Sequence, residues 1–392
     1  MSIKALSAET CSLLGSTTLI SSPVSLVKEL VDNAIDAHAT TISVLVSPNT
    51  VDKIEVRDDG HGIDSADFDA LGRRGHTSKI CCFGDLKDAA GSSLGFRGEG
   101  LASANTLGYV AITTRTANKA VASTFRLAPG SGGINSDTHK LVPAPIGTTV
   151  AVTCLFLMLP VRRKVVTQEA AKTVVAMKAL LCGYAMARPY LRLSLRVMKG
   201  AVPGWHYSPV AGPAAGISNT IEKGAMKQAV LLLFGAEVAR QCEEIIVSTN
   251  EFLGSQATLS QLLGSKPENK TGNYIFEACL PRPDANFTKL KLGGFISIDG
   301  RPISIHPQGV AEKILAIFTS SLKRLIGELG APPASVKGTF MRLNIRCPIG
   351  TYDANVDSAK TDVLLTDEKF LCDAFATLCA KTYVGMSADT RL

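Results

Sequence analysis

The chain has 392 residues, 46% of them apolar and 19% charged, with a formal net charge of +7. That usage excludes a disordered or collagen-like chain, and the length suits two or three domains of about 100–200 residues each. The mild basicity is compatible with nucleic acid without requiring it.

The first predicted element is a helix, where Val24, Val27, Leu30, Val31, Ala34 and Ile35 recur at three- and four-residue steps behind a Ser22-Pro23 start signal. Strands are predicted at Thr41–Val46 and Lys53–Arg57. The stretch from Asp64 to Arg97 holds Gly72, Gly75, Gly84, Gly91 and Gly95, has poor periodicity and reads as a long mobile loop, of a length that is usually functional or disordered. Strands resume at Tyr109–Arg115, Ala122–Arg126 and Thr148–Leu155, followed by a helix from about Thr167 to Arg188 and a strand at Leu191–Val197. Residues 200–220, rich in glycine and proline, have linker composition. Beyond them the pattern predicts a helix at Ala225–Gln241, strands at Ile245–Val247, Tyr274–Cys279 and Leu292–Ser297, and an amphipathic helix at Pro307–Leu329. A strand pair at Arg342–Arg346 and Asp362–Leu365 precedes a last helix at Glu368–Tyr383. The expected division is a first domain at 1–205, a linker at 206–220 and a second domain at 221–385.

The ten cysteines include no CxxC pair, Cys81 and Cys82 are adjacent, and the six histidines are scattered. Neither a disulfide framework nor a zinc site fits that distribution, which points to a reducing compartment. No apolar run in the sequence reaches the roughly 18 residues of a membrane span, and nothing near Lys4 and Glu9 reads as a signal peptide.

Four short blocks carry chemistry. Glu29, Asn33 and Asp36, spaced by four and three, project from one face of the first helix. A carboxylate and a carboxamide one turn apart can orient and deprotonate water and hold one site of an octahedral Mg²⁺; a solvated helix face has the same pattern. Asp58-Asp59-Gly60-His61-Gly62-Ile63 follows a predicted strand. It reads either as turn chemistry or as a carboxylate that accepts the exocyclic amine of adenine, with glycines that let the backbone approach a ligand. Gly95-Phe96-Arg97-Gly98-Glu99-Gly100-Leu101-Ala102-Ser103 is a glycine-rich turn opening a helix, a suitable cradle for phosphate. Gly147-Thr148-Thr149-Val150 starts a strand and says nothing alone.

The order of these blocks resembles the ATP-binding superfamily shared by gyrase, Hsp90, histidine kinases and MutL (GHKL). Within it, Val27–Ala37, Gly75-His76-Thr77-Ser78-Lys79 and Gly95–Leu101 are most similar to the N-terminal region of MutL-type mismatch-repair proteins. Pro160-Val161-Arg162-Arg163-Lys164 resembles the family's basic segment, Asp299-Gly300-Arg301-Pro302 its second-domain turn, and Tyr352–Lys360 the segment with its late lysine. The resemblance covers roughly residues 1–370.

It implies an α/β fold, with a GHKL ATPase domain on a mixed, largely antiparallel sheet and a second, ribosomal-S5-like α/β domain. It assigns Glu29 as general base, Asn33 as Mg²⁺ ligand, Asp58 as adenine reader with Thr149 beside it, and Lys360 as a γ-phosphate contact. Asp36, Gly62, Thr77, Ser78, Lys79, Gly95, Phe96, Arg97, Gly98, Gly100 and Leu101 would touch nucleotide in a lid that orders over ATP. The implied activity is slow Mg²⁺-dependent ATP hydrolysis acting as a switch in mismatch repair or meiotic recombination, in a nucleus or a bacterial cytosol. Implied partners are a second MutL-type subunit, MutS-type mismatch-recognition proteins, and DNA bound weakly and salt-sensitively through Arg162, Arg163 and Lys164, with Lys323-Arg324 as a further basic cluster; no membrane is implied.

Three departures stand out. Leu19–Pro23 replaces the family's Ala-Ala-Gly-Glu-Val, His38 replaces a glycine, and Met158-Leu159 replaces an Asn-Thr pair; none falls on an ATP-contact position. The Asp-Gln-His-Ala motif of the family's endonuclease half is missing from these residues, so no nuclease activity is expected of them. A non-hydrolysing scaffold and another GHKL ATPase of topoisomerase or chaperone type remain the alternatives.

Overall fold

The computed structural model describes residues 3–80, 84, 93–200, 204–210, 224–253, 272–328, 336–357 and 360–384. Cys81, Cys82, Gly91 and the 211–220 part of the predicted linker lie outside them. The chain divides into two compact units, with residues 1–89, 93–185 and 190–219 in the first and 90–92, 186–189 and 220–392 in the second.

The first unit contains helices α1 (Ala8–Leu19), α2 (Pro23–Asp36), α3 (Gly100–Leu107) and α4 (Pro160–Gln168), and most of α5 (Ala170–Ala187). Its strands are β1 (Thr41–Val46), β2 (Lys53–Asp58), β3 (Tyr109–Arg115), β4 (Ala122–Leu127), β5 (Ile134–Val142), β6 (Gly147–Thr153), β7 (Arg192–Val197) and β8 (Trp205–Tyr207). They form one sheet in the order β5-β4-β3-β6-β2-β1-β7-β8, antiparallel throughout except for the parallel β1–β7 pair. The mixed, largely antiparallel α/β class is the one expected.

Side-chain alternation gives this sheet one apolar face. Across it, Phe125, Ile112, Val150, Val56, Val44 and Leu195 stand in register on six successive strands. Helix α2 packs on β1 and β2 and buries Leu26, Val27, Leu30, Val31, Ala34 and Ile35. Its start is a capping box: Ser25 N–H donates to Ser22 Oγ at 3.2 Å and Ser22 N–H to Ser25 Oγ at 3.0 Å, with Pro23 in the first turn. Caps of this kind are worth about 1 kcal/mol.

The back of α2 also carries Lys28 and Asp32, 6% and 1% exposed, joined at 2.7 Å. The hydroxyl of buried Tyr184 on α5 donates to the same Asp32 carboxylate. Helix α5 is long and apolar enough to meet the length and composition of a membrane span, although no unbroken apolar run in the sequence does. It contains Lys172 and Lys178 and buries Met177, Leu181, Tyr184 and Ala185 within the unit.

Several elements differ from expectation. Helix α1 went unpredicted because AETCSLLGSTTL is rich in Ser, Thr and Gly, poor helix formers with little periodicity. Strand β5 is a mostly exposed edge strand without alternation. Pro160, at the head of the basic segment, opens the unpredicted helix α4 in its first turn. Trp205–Tyr207, at the head of the glycine- and proline-rich stretch, is an edge strand of the first sheet, so His206 and Tyr207 are not linker.

The second unit holds helices α6 (Ala225–Phe234), α7 (Ala236–Arg240), α8 (Thr249–Leu253), α9 (Val310–Glu328) and α10 (Glu368–Val384). Its strands are β9 (Cys242–Ser248), β10 (Ile275–Pro281), β11 (Gly294–Ile298), β12 (Arg301–Pro302), β13 (Met341–Arg346), β14 (Tyr352–Asp353) and β15 (Leu364–Leu365). Five form a sheet in the order β12-β11-β13-β10-β9, and β14 pairs with β15. The predicted 225–241 helix is split at Gly235, whose φ of +90° and ψ of 169° no helix accommodates. One register row of the sheet is polar and buried: Ser297 Oγ donates to Asn344 Oδ1 at 2.8 Å, and Asn344 Nδ2 donates to Glu277 Oε2 at 2.9 Å. Arg346 closes the row on Glu277 Oε1 at 2.5 Å.

Candidate functional site

Helix α2 presents three polar groups along one edge. Glu29 is only 5% exposed, Asn33 is exposed and Asp36 is half-buried. The backbone of Gly100, at the head of α3, runs against Glu29: a Cβ there would lie 2.7 Å from Glu29 Oε2. Asp36 anchors the glycine-rich segment. Its Oδ1 accepts Leu94 N–H at 2.8 Å, and its Oδ2 accepts Gly95 N–H and Ser93 Oγ–H, both at 2.9 Å. Lys79 Nζ donates to Asn33 Oδ1 at 3.1 Å and forms an ion pair with Asp36 Oδ2.

Asp58 ends β2 on the apolar face of the sheet. Its Oδ1 accepts the N–H of Gly60 at 2.9 Å and of Thr148 at 3.1 Å. Among the described residues no donor reaches Oδ2. Burial pushes this carboxyl above the usual range, although the two backbone bonds oppose the shift. Two glycines make the approach possible: a Cβ on Gly60 would stand 2.6 Å from Ala37 O, and one on Gly147 would stand 2.2 Å from Asp58 O. Asp59 has a different task. Despite its own burial, hydrogen bonds from Thr40 and Thr41 hold its carboxyl below the usual range and tie the loop to the start of β1.

The register corrects one expectation. Thr149 pairs with Arg57 and Thr113, so it stands on the face opposite Asp58. Thr148 is the threonine beside Asp58: its N–H reaches the carboxylate and its hydroxyl meets Thr114 Oγ1 at 3.1 Å. Gly62, at φ +77°, is pressed against Arg115 O, where a Cβ would come within 2.2 Å.

The two glycine-rich segments touch each other. Gly98 has φ +65°, and a Cβ there would lie 2.6 Å from His76 O, so only glycine lets the 76–79 backbone pass. Thr77 Oγ1 accepts the N–H of Lys79 at 3.2 Å, and Ser78 is exposed. Phe96 is buried with the Arg97 guanidinium over its ring at 5.8 Å, and Leu101 is half-buried on α3. Arg74, which sequence reasoning passed over, joins three segments. It donates to Ser12 O at 2.9 Å and Ser16 Oγ at 2.6 Å on α1 and pairs with Glu99 beside α3.

Other predicted residues sit elsewhere. Arg163 binds Asp52 at 2.5 Å and Leu155 O at 3.0 Å, and Arg162 donates to Thr17 O at 3.3 Å and lies over Phe156. Those two arginines, assigned to DNA contact with Lys164, hold α4 to its own unit; Lys164 is exposed, as are Lys323 and Arg324. Lys360, for which the polar sequence suggests an exposed position, is 2% exposed with φ +54°. Thr148, Arg74 and the Lys28–Asp32–Tyr184 set were missed. Only the i,i+4 spacing of Lys28 and Asp32 gave a sequence signal.

The site's chemistry is therefore a buried carboxylate beside an exposed amide oxygen, glycine-backed N–H groups at the head of α3, and a half-open acceptor at Asp58. Residues 20–149 match the histidine kinase-, DNA gyrase B-, and HSP90-like ATPase family, so the chain carries an ATPase domain of that class. Its relatives narrow the class to the mismatch-repair type. It is 28% identical over 381 residues to the DNA mismatch repair protein pms1 of Schizosaccharomyces pombe, covering 96% of this chain and 41% of that protein. It is 30% identical over 387 residues to PMS1 protein homolog 1 of Homo sapiens, covering 97% and 36%. The chain thus spans about two fifths of the length of these relatives, and its ATPase domain is of the kind found in PMS1/MutL mismatch-repair proteins. A crystal structure of the N-terminal domain of a DNA repair protein shares the fold, with a TM-score of 0.69 and 23% identity over 97% of this chain and 99% of that one.

Proposed function

We propose that this chain binds Mg²⁺·ATP and hydrolyses it slowly, as a conformational switch in DNA mismatch repair or meiotic recombination. One observation carries the reading: Glu29 is withdrawn from water one helical turn from the exposed Asn33 amide, beside a backbone cradle that side chains would fill. Buried carboxylates suit proton abstraction from a positioned water. The donor set fits a magnesium ion, which takes hard oxygen ligands and needs few from the protein, keeping waters and substrate phosphates for the rest. Asn33 Oδ1 would supply one such ligand; among the described residues no group of three or more His, Cys, Asp or Glu could hold a metal by itself. The metal's chemistry would be to screen phosphate charge. N–H groups at the head of α3 would cradle the phosphates, and Asp58 Oδ2 would accept the adenine amine.

Lys360 as a γ-phosphate contact rests on the sequence match alone. A second MutL-type subunit, MutS-type proteins and a nuclear or bacterial cytosolic setting are what the family resemblance implies, and the mismatch-repair names of the relatives support that reading. Weak, salt-dependent DNA contact rests on Lys164 and the exposed Lys323-Arg324 pair. The test is Glu29→Ala: phosphate release should fall at least a hundredfold while ATP still binds. Hydrolysis at the parental rate would remove Glu29 as the base.

A further inference from the structure

Lys79 occupies a position that the proposed reaction does not explain. Its ammonium bonds the very oxygen, Asn33 Oδ1, that the reading above gives to the metal, at 3.1 Å. Its other partner, the Asp36 carboxylate, has a side chain only 6% exposed, against 21% for Lys79 itself. Space is reserved for the ammonium by Gly95, where a Cβ would stand 2.9 Å from Nζ and 3.4 Å from both Asn33 Oδ1 and Asp36 Oδ2. Asp36 keeps three further donors, from Ser93, Leu94 and Gly95, so its position does not depend on the lysine.

We infer that Lys79 is a built-in counter-cation that holds the metal ligand Asn33 until nucleotide and metal arrive together; this rests on the reading of Asn33 given above. An ammonium and a divalent ion sharing one amide oxygen would be about 4 Å apart, where their like charges repel. Lys79 must therefore release Asn33 before that oxygen can coordinate a metal. A free divalent ion offers the displaced ammonium no new partner. A nucleotide does, because its phosphate oxygens accept a lysine as a compact point charge. Exchange of Lys79 from Asn33 to phosphate thus couples metal entry to nucleotide entry. It also moves the 76–79 segment, whose backbone rests on Gly98. The protein thereby discriminates against metal alone.

Mn²⁺ titrated into the nucleotide-free protein, followed by electron paramagnetic resonance, tests this without recourse to activity. The parent and Lys79→Arg, which keeps the positive charge, should bind free Mn²⁺ weakly. Lys79→Met should bind it at least tenfold more tightly, and adding Asn33→Ala to Lys79→Met should abolish the gain. If Lys79→Met does not fold, as judged by circular dichroism, Lys79→Gln is read in its place. An unchanged Mn²⁺ affinity, or a gain that survives Asn33→Ala, overturns the inference. Mg²⁺·ATP affinity of Asn33→Ala separates the two levels. Parental affinity there sinks the reading of Asn33 itself, whereas lost affinity with no Mn²⁺ gain in Lys79→Met sinks only the role of Lys79.

Discussion

Replacing Asp58 by asparagine changes one atom of the carboxyl group and should separate ligand recognition from folding. Oδ1 already accepts two backbone N–H groups, from Gly60 at 2.9 Å and Thr148 at 3.1 Å. An amide would keep its oxygen there, because turning it would set a donor against two donors. Its NH₂ then falls where Oδ2 now stands, facing the ligand. Adenine's exocyclic amine would meet a donor instead of a charged acceptor. A hydrogen bond to a charged group contributes about 1.5–3 kcal/mol, and the unpaired amide adds a desolvation cost of about 1 kcal/mol or more. At about 1.4 kcal/mol per decade, ATP affinity should fall by about a hundredfold or more. Guanine, which offers a carbonyl at that edge, should lose far less, so the ATP-to-GTP preference should shrink. Stability should hardly move, since burial disfavours the native carboxylate and raises its pKa. Asp58→Ala is the contrasting case: it strands two backbone donors, at about 1–3 kcal/mol each, and should lower the melting temperature clearly. Calorimetric titration with both nucleotides and thermal melts of both variants decide the matter. The reasoning fails if Asp58→Asn binds ATP as the parent does with an unchanged preference, or if its loss of affinity comes with an equal loss of stability.

Gly98→Ala forces a left-handed residue costing about 1–2 kcal/mol and brings a methyl against His76 O, so the melting temperature should drop by roughly 2–8 °C and ATP should bind more weakly. A parental melting curve would show that the segment at 76–79 moves aside freely. Arg163→Ala, which loses Asp52 and the Leu155 carbonyl, should destabilise the protein and leave DNA affinity alone. Lys164→Ala should do the reverse, flattening the salt dependence of DNA binding by up to about 0.9 in log–log slope, and both are read by melts and salt titrations. His306 accepts help from the Pro307 carbonyl and from Asp362, 3.0 Å away, which raise its pKa above 6.5. Stabilisation from that contact is complete below pH 6.5 and is lost as pH rises through the raised value. The melting difference between the parent and His306→Gln should therefore be present at pH 6 and fade above neutrality; a difference constant with pH would contradict it.

The strongest periodic signals were legible in sequence. Helix α2 has six core residues in helical register plus a serine-proline start, and β1 and β3 were bounded correctly because alternating burial on one face imposes a two-residue period. The motifs of the proposed site could be placed on their elements as well: Glu29, Asn33 and Asp36 share one edge of α2, and Asp58 ends β2. What stayed hidden depends on tertiary geometry. Thr148 and Thr149 are chemically alike, and only strand register says which one faces Asp58. Lysine and arginine in a run look equally free until Asp52, more than a hundred residues away in sequence, claims Arg163. Helix α1 carries little hydrophobic pattern because it is held largely from outside, by Arg74 and by packing on α3.

The buried Lys28–Asp32–Tyr184 set acts on α2 as a key acts on a shaft. An apolar stripe alone tolerates a few degrees of rotation about the helix axis, because dispersion contacts change gradually. An ion pair closed by a phenol does not, since each partner must aim at one oxygen. Apolar residues of matching shape in all three places could leave the melting temperature unchanged or raise it. We expect such a protein to fold well and work poorly: Glu29 and Asn33, each one residue further along and so about 100° round the same axis, would lose their angular definition. Selection for thermostability alone would favour that exchange, so a stabilised variant that keeps the three polar residues should be sought by screening for turnover.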